Sequence, residues 1–161
     1  MSEIGEVRFV SKEAKSMRVI VARLLPGTDL VAGIKAVCAE HKVTSGTIAS
    51  CLGSLKFGRF SWVLPDPFAK MGFSYCPPVV IPGPVEFVAG QGTVGVTGDG
   101  KMTVHLHAVM TDSKGVTWSG HMHDEGNLVY ATIELVIHAY EGVTLVRPVD
   151  AETGLTLFRP E

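Results

Sequence analysis

The stretches Thr103-Val104-His105-Leu106-His107-Ala108 and Gly120-His121-Met122-His123-Asp124 hold four of the six histidines in this chain. Strand side chains alternate between faces, so each His-x-His pair projects both rings from one side. Between the pairs lies Asp112-Ser113-Lys114-Gly115. A three-residue loop, Ser113-Lys114-Gly115, puts glycine where such loops need a left-handed backbone. With Asp112 opposite Val116, strands over 104–110 and 116–122 pair so that His107 faces His121 and His105 faces His123. A two-residue turn would shift the register by one and send one pair to the other face. The expected hairpin therefore gathers His105, His107, His121 and His123 on one face. That face either ligates a divalent transition metal, zinc first, or is a solvated surface hydrogen-bonded to water.

Composition narrows the class. The chain has 161 residues, 46% of them hydrophobic and 19% charged, and its mean hydropathy is +0.28. One domain, 1–161, accounts for this length. Its core is expected over about 18–140, with a C-terminal hairpin extension over 143–161. An apolar chain of this kind has either a large core or a face hidden in an oligomer. No apolar run reaches the length of a membrane span. The start, Met1-Ser2-Glu3-Ile4-Gly5-Glu6, lacks the basic and apolar regions of a secretory signal, so a cytoplasmic location is expected. Cys38, Cys51 and Cys76 form no Cys-x-x-Cys pair, and an odd count argues against a disulfide framework. Cys38 reads as core, and Cys76, among prolines, as a candidate exposed thiol. The formal charge is −2. Lys12, Lys15, Arg18 and Arg23 are the one concentration of bases, diluted by Glu13, so duplex DNA is not an expected partner.

Residues 17–25 are β-branched and apolar and read as a strand. Pro26-Gly27 ends it. Thr28 is the expected N-cap of a helix from Leu30 to about His41, with Asp29 in its first turn. Residues 43–52 and 55–64 read as two strands, with Gly46 and Gly53 marking close approach or a bulge. Six prolines between residues 65 and 84 argue against a central strand or helix there, leaving a lid or subunit-contact arm. Residues 85–97 resume strand character. Residues 128–140 alternate, with Val129, Ala131, Ile133, Leu135, Ile137 and Ala139 on the core face and Glu134 and His138 on the other. No phosphate loop, dinucleotide fingerprint or nucleophile elbow is present. The fold class is α+β: a single antiparallel-rich β-sheet with one or more packed helices.

From about Arg18 to Tyr140 the chain resembles the PPC domain, the plant and prokaryote conserved domain. The resemblance lies in Leu25-Pro26-Gly27-Thr28-Asp29-Leu30, in Leu52-Gly53-Ser54-Leu55 and in Gly83-Pro84-Val85-Glu86-Phe87-Val88. It continues in His105-Leu106-His107, Gly120-His121-Met122 and Thr132-Ile133-Glu134-Leu135-Val136. It implies a homotrimer and a metal site of His105, His107 and His121, with His123 a fourth ligand, a proton carrier or a spectator. The AT-hook of plant members is not found here, so their minor-groove binding does not transfer. The fold and the three histidines also resemble acetolactate decarboxylase, a zinc lyase. On that footing the expected function is a metal-dependent enzyme of lyase or isomerase type acting on a small oxygenated carboxylic acid. Glu134 and Glu86 are the candidates to move protons, and Arg23, then Arg59, to clamp a substrate carboxylate. Both glutamates are equally candidates for subunit bridges. The alternative function is a non-catalytic module that binds DNA or a ligand.

Overall fold

The structure is a computed structural model describing residues 7–161. Residues 1–6, on which the reading of the start rests, lie outside the described residues. The long strands are β1 (Ser16–Leu24), β2 (Gly46–Ser61), β5 (Val79–Val96), β6 (Met102–Thr111), β7 (Thr117–Met122) and β8 (Val129–Glu141). Short strands β3 (Val63–Pro65) and β4 (Phe73–Tyr75) pair with each other, and β9 (Leu145–Val146) pairs with β10 (Arg159–Pro160). The main sheet runs β1-β8-β2-β7-β6-β5-β9-β10, and β2 also pairs with β5. The strands β2, β7, β6 and β5 therefore form a closed ring, which removes free edges around the hairpin. Pairing is antiparallel except between β5 and β9. The outermost pair joins the two ends of the fold, Ser16 to Glu141 through Leu24 to Ile133.

One helix, α1 (Leu30–Glu40), is present among the described residues, so the chain is mostly β-sheet. Its N-cap is Asp29 rather than the expected Thr28. One Asp29 oxygen accepts from Val31 N at 3.2 Å and Ala32 N at 3.4 Å. The other accepts from Gly126 N at 2.9 Å and Asn127 N at 3.0 Å. A carboxylate has two oxygens to divide between helix and loop, and a threonine hydroxyl has one. The buried face of α1, with Leu30, Val31, Ile34 and Cys38, packs toward β1 and β6. It shares one buried core with the inward side chains of β8, Val129, Ile133, Leu135, Ile137 and Ala139. Ala131, expected in the core, is exposed.

Two expectations are corrected. The strands read over 43–52 and 55–64 are one strand, β2. Gly53 carries it through a register shift at φ +149°, where an added Cβ would lie 2.0 Å from Thr132 O. Only glycine permits that approach. The proline-rich segment is also more regular than expected. It contains the β3–β4 hairpin and the first turn-free residues of β5, including Pro82 and Pro84. Here β5 pairs with β2 alone, because β6 joins it only from Glu86 onward. Proline is tolerated in a strand that has one open edge. No helix among the described residues is long and apolar enough to cross a membrane.

Candidate metal centre

The hairpin turn is built as its residues require. Gly115 has φ +78°. Asp112 N donates to Val116 O at 3.0 Å. The Asp112 carboxylate accepts from Lys114 N and Val116 N, each at 2.9 Å, and from Trp118 Nε1 at 3.0 Å. These bonds fix the loop length and hence the register, and His107 stands opposite His121. The second expected pair does not form. β7 ends at Met122, and His123 N turns to donate to Arg59 O on β2 at 3.2 Å. Its ring reaches Ser61, with Nε2 2.7 Å from Oγ.

Three rings converge. One ligand atom each from His105, His107 and His121 lies within 4.8 Å of the others. His105 Nε2 and His107 Nε2 are 3.0 Å apart, near the roughly 3.3 Å that two ligands at zinc–nitrogen distance subtend in a tetrahedron. His121 Nδ1 is buried with no hydrogen-bond partner. The set fits a divalent transition ion: three neutral nitrogen donors, one of them half-buried with an orphaned ring atom. His123 shares the cleft, its ring 6.2 Å from that of His121, and stands outside the three-ring group. Burial holds the His105 and His121 imidazoles down to about 4, aided for both by the positive charge of Arg147. Burial also lowers His107 and His123. All four rings are thus neutral near pH 7, the state in which imidazole ligates metal.

The surroundings come from elsewhere in the chain. Tyr75, in the proline-rich segment, lies 5.4 Å from His121 between ring centroids. A cleft of about 330 Å³ is bounded by His105, His121, His123, Ser61, Tyr75 and Arg147. A second, more apolar one of about 430 Å³ lies on the other side of His121, between Trp62, Tyr75 and Val109. Cys76, read as a candidate exposed thiol, is buried, and its sulfur accepts from Trp62 N at 3.4 Å. Burial pushes the thiols of Cys38 up to about 11 and Cys51 up to about 12, which keeps them unreactive.

Of the remaining predicted site residues, Arg23, Glu134 and Glu86 lie away from the histidines along their strands, and Arg59 lies beside His123. Arg23 and Glu134 are cross-strand partners on β1 and β8. Glu134 is level with Leu52 on β2, whereas His121 is level with Ser61, about 30 Å farther along extended chain. Glu86 is exposed on β5, and Gln91 is the residue of that strand opposite His107, about 16 Å along. Arg59 donates to Glu125 O at 3.2 Å, and its charge acts on His123. Ser61, Tyr75 and Arg147 were not singled out by sequence. Tyr75 and Arg147 come from irregular segments where no periodicity reports direction, and Ser61 is one of several small polar residues along β2.

A ring-closed sheet that presents three convergent histidines from one hairpin defines the class of protein. Residues 11–141 match the Plants and Prokaryotes Conserved (PCC) domain, and the chain belongs to that family. It is 30% identical over 139 residues to the bifunctional protein GlmU of Synechococcus sp. (strain JA-3-3Ab), covering 86% of this chain and 20% of that protein. The chain thus spans one fifth of the length of that relative. Among solved structures it is similar to a hypothetical protein from Salmonella cholerae-suis, with 27% identity, TM-score 0.76 and coverage of 92% and 96% of the two chains. A metal-containing protein from Archaeoglobus fulgidus has 22% identity, TM-score 0.75 and coverage of 95% and 99%. A protein from Bacteroides thetaiotaomicron, provisionally designated DNA-binding, has 18% identity, TM-score 0.71 and coverage of 92% and 94%.

Proposed function

We propose that this chain binds one divalent transition metal, zinc by default, through His105, His107 and His121, and acts as a lyase- or isomerase-type enzyme on a small oxygenated carboxylic acid. The observation that carries this reading is the convergence of three neutral imidazoles beside an open cleft. When bound, an ion with three protein ligands supplies a Lewis acid with an open position, able to polarise a carbonyl. The chain's own residues do the rest. Ser61 Oγ and His123 Nε2, 2.7 Å apart, share one hydrogen bond along which a proton can move. Tyr75 and the segment around it limit the access of water from one side. Three buried or closely packed free thiols fit a reducing compartment such as the cytoplasm.

Assembly as a homotrimer belongs to the same proposal. Val19 and Val21 on β1 and Leu52 on β2 are exposed apolar side chains, a surface suited to a second copy. Glu134, Glu86 and Arg23 would serve the site only from a neighbouring subunit. The test is elemental analysis of untagged protein never exposed to chelator: about one equivalent of metal per chain is expected, and its loss in His107→Ala. Metal-free wild type would remove the enzyme reading. Sub-micromolar, salt-sensitive binding to an A·T-rich duplex would then favour the DNA-binding module.

A further inference from the structure

Arg147 reaches the cleft from the C-terminal hairpin, past the end of the family match at residue 141. Its guanidinium is held at Nε and Nη1 by backbone and hydroxyl oxygens. Nε donates to Thr156 O at 3.3 Å, and Nη1 donates to Val104 O at 3.1 Å and Thr103 Oγ1 at 3.4 Å. Its carbon lies 5.4 Å from the centroid of the Phe158 ring. Every one of these partners is neutral. Among the described residues Arg147 makes no salt bridge. Asp124 is the carboxylate whose charge acts on it, and that carboxylate is bonded to Lys35 Nζ at 2.9 Å.

A half-buried cation without an anionic partner is costly. The cost rises if a metal ion sits on the histidines of the same cleft. An anion spanning the two would neutralise both. Leu155 and Leu157, which flank the Thr156 that Arg147 bonds, also line the cleft, which suits a short hydrocarbon part. A guanidinium whose Nη2 is free can donate a charge-assisted hydrogen bond to a carboxylate.

We propose that Arg147 is the carboxylate-binding residue of this site, so that ligand selection is built by the tail beyond residue 141 and not by the matched family core. The ligand is a small monoanionic carboxylic acid with an oxygen next to the carboxylate and a short apolar substituent. This rests on the metal reading above for the second oxygen, and on Arg147 alone for the carboxylate.

Titration calorimetry on zinc-loaded protein with lactate and its neutral isostere lactamide tests it. Lactate is expected to bind, with lactamide weaker by about tenfold or more, the loss of one charge-assisted pair. Arg147→Gln is expected to lose a similar factor for lactate while its zinc content stays unchanged. Leu157→Trp removes no hydrogen-bond partner of Arg147 and narrows the cleft, so it too should weaken lactate. If Arg147→Gln does not fold, Leu157→Trp and the lactate–lactamide comparison decide. Equal binding of the two probes, or no lactate binding at millimolar concentration, overturns the proposal. So does unchanged affinity in folded Arg147→Gln. Protein that takes up no zinc yet binds lactate through Arg147 keeps this proposal and removes the metal. Protein that holds zinc and ignores lactate does the reverse.

Discussion

Asn127 and Asp112 grip the histidine hairpin from opposite ends. Asn127 is fully buried. Its Oδ1 accepts from Arg59 N at 2.7 Å, and its Nδ2 donates to Arg59 O at 3.1 Å and His123 O at 3.0 Å. Asn127→Ala would take this partner from Arg59 N and His123 O, while Arg59 O keeps His123 N, at roughly 2–4 kcal/mol, and urea denaturation will read the loss. Asp112 acts through charge. The Trp118 indole N–H, then Val116 N–H, hold its carboxyl below the usual range. A lowered folded pKa gives stability that is complete above the unfolded value, about 3.9, and is lost as pH falls through the folded value. Asp112→Asn is therefore expected to lose stability at neutral pH and to flatten the acid limb, so that the two proteins converge as pH falls below about 4. At this scale the sequence is readable where the determinant is local. Gly115 and Asp112 lie inside the turn they dictate, so the His107–His121 register follows from them. Arg147 acts across more than forty residues on His105 and leaves no pattern in its neighbours.

Strand parity tells which side a residue faces and says nothing of where along a curved strand it ends up. That is why Glu134 is legible as an outward residue and its distance from His121 is not. The length of β2 was hidden for a related reason, since a glycine breaks the apparent period while the backbone runs on. The prolines of β5 look like strand breakers until it is known that one edge is open there. Glycine also guards the site itself. A Cβ on Gly120 would lie 2.5 Å from Ser61 O, against the strand that His121 pairs with. Gly120→Ala is expected to force β7 off β2, with a loss of roughly 2–4 kcal/mol and reduced metal stoichiometry. Gly98, in a turn with nothing within 4 Å of an added Cβ, is the control and should tolerate alanine.

For the whole molecule, light scattering on a sizing column should return a trimer, about three times 17.2 kDa; a monomer at micromolar concentration would contradict the assembly. Zinc at a hundred times its dissociation constant should raise stability by about 2.7 kcal/mol, visible as a higher Tm, and a chelator should reverse it. The joining of Ser16 to Glu141 at the outermost strand pair has a consequence in time. Pairs close in sequence close cheaply, and distant ones wait for more chain to be ordered. The β6–β7 hairpin needs only its own few residues, whereas β1 has no partner until β8 has been made. On a ribosome, three histidines are therefore in register while the first strand is still unpaired. The interval between those two events is when the chain is most exposed to chaperones and to aggregation.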